Sequence, residues 1–296
     1  MATRDSLASH PPPSALLGVL LLVGACAPTP VALEVTRVAI TTSSPTAMPT
    51  RRPSQTPSPT APPSITPTAS PRPDVAPTLP HAEVRFIYHG DRERPYVALT
   101  FDLCQKPELP AGFDSAIVGV LEEADVPATF FLGGDWMRTH PEETQLLAGN
   151  PQFELGNHSW SHPDMPDLDE VHISREITMT QDILYRLTGR QSRLFRLPSG
   201  LSSDLVLSVI AWNGLYAIQW DADTADPVFA NDAENINRLV RERVQNGSIV
   251  LMHANGRGWH TAEALPEMIR YLRDSGYALV TVSQLIGIES MPENQP

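Results

Sequence analysis

Cysteine is almost absent: the 296 residues hold two, Cys26 and Cys104, in stretches of different composition. That count leaves no room for a disulfide-stapled scaffold, which needs several bridges. An excess of positive charge is missing as well. Lys and Arg number 21 against 34 Asp and Glu, for a formal net charge of −13. This argues against nucleic acid or an anionic membrane surface as partner, since both call for clustered bases. The apolar run at residues 15–25 (ALLGVLLLVGA) is too short to span a bilayer as a helix. No internal repeat is visible. What the chain does have is 41% hydrophobic residues, enough for a core, and 30 prolines, about half of them before Pro80.

The run at 15–25 has the length of the apolar centre of a secretory signal, preceded by one base, Arg4, and an offsetting Asp5. It ends Val23-Gly24-Ala25-Cys26, which resembles the lipobox of bacterial lipoprotein signal peptides. The resemblance implies cleavage before Cys26 and acylation of Cys26. A diacylglycerol plus an N-acyl chain anchors stably where one chain is marginal. The other reading is an ordinary signal peptide cut after a later alanine, with Cys26 lost. Either way the chain is expected outside the cytoplasm, as a membrane-anchored lipoprotein or secreted. Residues 27–80 follow, rich in Pro, Thr, Ser and Ala (TPSPTAPPSITPTASPRP). Such a segment buries too little apolar surface to offset its ordering entropy and is expected to be a disordered, extended linker. The organisation expected is therefore a leader over 1–26, a linker over 27–80 and a folded domain over 81–290.

Beyond His81 strand-like and helix-like patterns alternate. VRFIYHG, YVALTFD, PATFFLGG, FELGNH, LFRLP, YAIQWDAD, GSIVLMH and YALVTVSQL read as strands. Between them FDSAIVGVLEEA, PEETQLLAG, ISREITMTQDILYRLTG, SDLVLSVIAWNG, AENINRLVRERVQNG and TAEALPEMIRYLRDSG read as helices. Alternation of this kind implies an α/β fold with parallel strands and right-handed crossovers, and about seven units favour a barrel. Reactive groups of such barrels sit at the C-terminal ends of the strands. Asp102, His158, Arg196, the Asp221/Asp223 pair and His253 all stand at or just beyond predicted strand ends, which points to one shared rim.

His158 and His162 form H-S-W-S-H, an i, i+4 pair that a turn or helix end can aim at one metal ion, with Pro163 biasing His162 away from helix. Residues from about Pro95 to Leu285 resemble the NodB-homology polysaccharide deacetylases, carbohydrate esterase family four. The resemblance rests on TFD (100–102), HSWSH (158–162), FRLPSG (195–200), WDADTADP (220–227) and IVLMH (249–253), in the family's order. It implies a distorted (β/α) barrel that binds a divalent metal, usually zinc, and removes N-acetyl groups from an amino-sugar polymer such as an envelope glycan. On this resemblance His158 and His162 ligate the metal, Asp102 is the general base and His253 the general acid. Ser199 lends its backbone N–H to the oxyanion, Arg196 orients Asp102, and Asp223 pairs with Arg196 or tunes His253. Trp220 and Leu251 wall the acetyl methyl. A monomer is expected.

Four positions depart from the family, beginning with Asp102-Leu103-Cys104 where it reads Asp-Asp-Gly. Where it has a second, metal-ligating aspartate, this chain has Leu103, which cannot ligate. The third ligand is then Asp102 or Cys104, or more water with help from the His260 loop; or the domain holds glycan without hydrolysing it. Residues two apart on a strand share a face, so Cys104 faces with Asp102 if the strand continues. Ser199 stands where an aromatic is usual, and Pro227 where a tryptophan is common. The polar loop HANGRGWHT, with Asn255, Arg257 and His260, is suited to sugar hydroxyls or a carboxylate. An acetyl-ester hydrolase and an inactive glycan-binding lipoprotein are the alternative readings.

Overall fold

A computed structural model describes residues 86–106 and 108–288. The apolar run at 15–25, Cys26 and the linker over 27–80 lie outside the described residues. Among those described, the strands are β1 (Phe86–Ile87), β2 (Tyr96–Leu103), β3 (Ala128–Leu132), β4 (Phe153–Asn157), β5 (Leu194–Arg196), β6 (Tyr216–Ile218), β7 (Ala222–Asp223), β8 (Ser248–His253) and β9 (Ala278–Leu279). They alternate with helices α1 (Ser115–Glu123), α2 (Gly134–Thr139), α3 (Pro141–Gly149), α4 (Glu170–Thr188), α5 (Asp204–Trp212), α6 (Ala233–Arg243), α7 (Thr261–Asp274) and α8 (Val282–Leu285). The strand order is β1-β6-β5-β4-β3-β2-β8-β7, with β9 added to β2, and every strand pairing is parallel.

The two ends of this sheet are drawn together. The Gln219 N–H donates to the Ile87 carbonyl at 2.7 Å, and the Asp221 N–H donates to that of Ile249 at 3.3 Å. An antiparallel bridge joins His89 to Ser248. The sheet therefore curls into the distorted barrel expected from the sequence. This closure also explains why YAIQWDAD is not one strand: residues 219–221 cross from the β1 side to the β8 side, splitting it into β6 and β7.

Strand alternation sorts the side chains. Val97, Leu99, Phe101 and Leu103 pack outward against Ile117 and Leu121 of α1 and Leu265 and Met268 of α7. Ala98, Phe131, Leu194, Ile218 and Ile249 fill the barrel interior together with Val282 and Leu285 of α8. Both faces are thus buried, which accounts for the near-continuous apolar strands. The last predicted strand, YALVTVSQL, pairs only at Ala278–Leu279. Beyond it Thr281 and Gln284 cap each other reciprocally and start α8, a capping box legible as T-x-x-Q. The Val282 N–H donates to the Thr129 hydroxyl at 3.0 Å, so α8 closes the N-terminal end of the barrel.

Gly156 is required by this interior. A Cβ there would lie 2.4 Å from the Phe131 ring, and that ring is fully buried with the Arg196 guanidinium 4.0 Å above its centre. Gly156→Ala should destabilise the domain by about 1–3 kcal/mol through overpacking. A thermal melt checks this; an unchanged midpoint would mean that the Phe131 ring can yield.

Candidate active site

The C-terminal mouth of the barrel is built around Arg196, the last residue of β5 and completely buried. Its Nη1 donates to the Asp102 carboxylate Oδ1 and to the Thr100 hydroxyl, both at 2.8 Å. Its Nη2 donates to the Gln219 carbonyl at 3.2 Å. The Arg196 backbone carbonyl takes the remaining role, lying 3.0 Å from the Nδ1 of His158. A carbonyl only accepts, so Nδ1 carries the proton. Burial pushes the His158 pKa down, outweighing the pull of Asp102, so the ring is neutral and its Nε2 is a bare lone pair. That lone pair faces Asp102 Oδ2 at 3.4 Å. Two acceptors meeting in a buried space fit a cation between or beside them.

Asp102 is buried, which by itself raises its pKa. The charge of Arg196, foremost among the lowering influences, outweighs burial and holds the carboxyl below the usual carboxylate range. With Oδ1 committed to Arg196, Oδ2 is the oxygen left for chemistry.

The His158–His162 segment is not a helical turn. Ser159 and His162 both take left-handed backbone conformations, with φ of 60° and 56°. Glu176 of α4 stabilises the kinks by accepting from the N–H groups of Trp160 and Ser161, each at 2.8 Å. The two imidazoles meet edge to face, centroids 5.1 Å apart. Burial, then His158, drives the His162 pKa down to about 3, so it too is a neutral donor ring, and its Nδ1 is buried with no hydrogen-bond partner.

Cys104 completes this group. One ligand atom each from Cys104, His158 and His162 lies within 4.8 Å of the others, a set that could hold a metal ion. Asp102 is not part of the set, and Leu103 points into the outer core. Burial, then the Asp102 charge, pushes the Cys104 thiol up to about 12; a coordinated cation inverts that preference and takes the thiolate. Donors of one sulfur and two imidazole nitrogens match the chemistry of a borderline-soft divalent ion. The buried Asn255 fixes the Cys104 backbone by donating to its carbonyl at 2.8 Å. Buried polar atoms without partners gather here: His162 Nδ1, Arg196 Nε, Gln219 Oε1 and Asn255 Oδ1 account for four of the five found among the described residues. Native interiors tolerate few such atoms, and they mark sites of function.

His253 ends β8 in register with Asp102 on the neighbouring β2. Its partner is Asp226, whose carboxylate Oδ1 lies 2.8 Å from His253 Nδ1 while Oδ2 accepts from the His253 N–H and the Thr261 hydroxyl, both at 2.7 Å. Burial pushes the His253 pKa down, but the hydrogen bond and charge of Asp226 more than reverse this and raise it.

Asp223 does not take the part expected of it. Its carboxylate accepts from the Ala225 N–H at 2.7 Å, a local turn contact, while Arg196 pairs with Asp102 and His253 with Asp226. The reason is geometric: Asp223 is in register with Leu251, two residues short of His253, and the pairing falls to the loop beyond β7. Asp221 is likewise off the rim. It binds Arg92 at 2.7 Å and the start of β8 through Ser248 and Ile249. Arg257 and His260 contact Leu109 and Glu263 rather than the cluster. Ser199 sits exposed in a 3-10 turn (Pro198–Gly200) with φ 54°, a strained conformation for a non-glycine residue. Trp220 lies against this turn, 3.2 Å from where a Gly200 Cβ would be, and its ring centre is 5.6 Å from Arg196. Leu251 is buried beside Thr100. Asp226 and Glu176 escaped the sequence reading. Asp226 stands in an Asp-Pro step three residues past Asp223, a turn signal that places it in the loop; nothing local marks Glu176.

Fold and mouth define a class, a pinched parallel barrel with a carboxylate–arginine pair, a histidine–cysteine cluster and a second histidine–carboxylate pair at its C-terminal rim. The chain belongs to the polysaccharide deacetylase family, whose profile matches residues 89–218. It is 30% identical to a peptidoglycan-N-acetylglucosamine deacetylase of Bacillus cereus over 202 residues, 68% of this chain and 71% of that one. It is 31% identical to the uncharacterized protein YlxY of Bacillus subtilis, covering 68% of this chain and only 60% of the relative's length. The crystal structure of BA3943 from Bacillus anthracis, a pseudoenzyme of carbohydrate esterase family four, superposes with a TM-score of 0.62 at 29% identity, covering 69% of each chain.

Asp226→Asn should lower the His253 pKa, because burial then acts against a weaker partner. In the wild type the stabilisation from this raised pKa is complete below the unfolded value of about 6.5 and is lost as pH rises through the folded value. In the variant that contribution shrinks. NMR titration of the His253 ring reads the shift directly; the same midpoint in both proteins would remove Asp226 as the cause.

Proposed function

We propose that the domain is a metal-dependent hydrolase that removes N-acetyl groups from an amino-sugar polymer, with peptidoglycan or a related envelope glycan as substrate. The observation that carries this reading is the pairing of two proton-transfer groups. Asp102 is tied through Oδ1 and has Oδ2 free; His253 is tied through Nδ1 and has Nε2 free. They stand side by side on adjacent strands, next to the cluster that could hold a metal.

Cys104, His158 and His162 hold the ion in this proposal, and zinc suits their donor set. When bound, it supplies a Lewis acid that polarises the acetyl carbonyl and acidifies water. Asp102 Oδ2 accepts the proton of the attacking water, and Arg196 keeps the carboxylate ionised and aimed. His253, held protonated by Asp226, donates to the departing amine nitrogen. The N–H of Ser199 would donate to the oxygen that gains negative charge, and Trp220 and Leu251 would exclude water from the methyl group. An acetyl ester in place of the amide uses the same groups; comparing acetate release from an N-acetylated and an O-acetylated glycan separates the two. Export with a lipid tether at Cys26, and action as a monomer on a wall glycan, belong to the same proposal.

A second reading, glycan binding without hydrolysis, draws on Leu103, which leaves no second aspartate, and on the pseudoenzyme among the similar structures. Acetate release from peptidoglycan or chitooligosaccharide decides. Asp102→Asn should reduce it at least about a hundredfold, the lower scale of general-base catalysis, while bound metal persists. A wild-type domain that binds metal but frees no acetate would leave the second reading standing.

The ligand assignment has its own test. Cobalt-loaded wild type should show the near-ultraviolet thiolate-to-metal charge-transfer band, and Cys104→Ser should lose it together with much of the bound zinc. A retained band would exclude the cysteine. His158→Ala should likewise lower metal content, measured by elemental analysis.

A further inference from the structure

Two loops hold the His253–Asp226 pair, and each turns a large aromatic side chain outward. The first follows β7. Asn231 donates from its side chain to the carbonyls of Thr224 and Ala225, each at 2.9 Å, and Asp226 anchors the loop to His253 and Thr261. Phe229, three residues past Asp226, is 75% exposed. The second loop follows β8. Gly258 packs so closely on the pair that a Cβ would lie 2.2 Å from the His253 carbonyl oxygen and 2.9 Å from Asp226 Oδ2. Trp259, the next residue, is 50% exposed. The two rings meet edge to face, with centroids 5.3 Å apart and planes at 85°.

Exposed aromatic area of this size is costly in water and marks a binding surface when it is contiguous. Here both rings rest on short, pinned loops, so the platform is set before a ligand arrives and little ordering cost remains. Its position narrows the occupant. The rings project from the loops that hold the proposed general acid, so a polymer placed for reaction runs out over them. A pyranose ring offers a flat face of C–H groups that an aromatic ring can cover, with its hydroxyls left in water. A peptide or lipid would need a groove or a cationic rim, and the chain's charge is strongly acidic.

We propose that Phe229 and Trp259 form a binding subsite for a pyranose ring of the glycan, on the His253 side of the reacting sugar. The assignment rests on the glycan-hydrolase reading above. It makes these residues determinants of preference for polymer over short saccharides.

Calorimetric titration of the full chain with the hexamer and the dimer of β-1,4-linked N-acetylglucosamine tests it. Wild type should bind the hexamer more tightly. Trp259→Ala should weaken hexamer binding about tenfold, equivalent to about 1.4 kcal/mol, and should narrow the gap between hexamer and dimer; Phe229→Ala should act in the same direction. Trp259→Phe, which keeps an aromatic face, should retain part of the affinity even if the alanine variant folds poorly. Trp212→Ala, at the far end of α5 and 82% exposed, should bind as wild type does. Equal hexamer affinity in wild type and Trp259→Ala overturns the subsite. Loss of hexamer binding in Trp259→Ala from a protein that frees no acetate supports the subsite and overturns the hydrolase reading instead. Acetate release from the hexamer with a KM unmoved by Trp259→Ala does the reverse.

Discussion

The buried pairing of Arg196 with Asp102 is the constraint on which the mouth depends. Taking both charges out of water costs several kcal/mol per ion before their attraction is counted, and the fold offsets that cost with several contacts at once. Thr100 and the Gln219 carbonyl accept from the guanidinium, and the Phe131 ring lies beneath it. The same residue then acts twice. Its side chain fixes one oxygen of Asp102 and frees the other, while its backbone carbonyl fixes the tautomer of His158. The orientation of a carboxylate and of a ligand-type imidazole are therefore one structural fact. Loss of the guanidinium would leave a buried carboxylate unpaired.

The opposite side of the mouth repeats this logic with different groups. Asp226 ties His253 through its ring and its backbone N–H together, and Thr261 and Gly258 close over the carboxylate. The two sides give their residues opposite electrostatic fates. Arg196 depresses the Asp102 pKa, and Asp226 raises that of His253, so the carboxyl is pushed toward its ionised form and the imidazole toward its protonated form. In the proposed mechanism this divergence is what lets one site supply both base and acid at the same pH.

Between these sides lie Leu103 and Cys104. Strand alternation turns Leu103 outward into the helix layer, where it is fully buried. The next residue, Cys104, faces the imidazoles instead. Its sulfur joins two imidazole nitrogens in a set of three convergent donors that could hold a borderline-soft divalent ion.

Local pattern determined a good deal of this. Alternating strands and helices, set against the rule that reactive groups collect at strand ends, was enough to anticipate a parallel barrel and to bring Asp102, His158, Arg196 and His253 to one rim, because strand periodicity and chain direction are local properties. The period of two also put Cys104 on the face of Asp102. What the tertiary structure alone decided was partnership. Asp226 rather than Asp223 serves His253, since the register of β7 on β8 leaves Asp223 two residues short. The kinked histidine loop depends on Glu176 from a helix that follows it. Phe229 and Trp259 meet only because two loops some thirty residues apart in sequence close on one ion pair. Which residues touch across a barrel is set by shear, closure and packing, and these are sums over the whole chain that no short stretch of it contains.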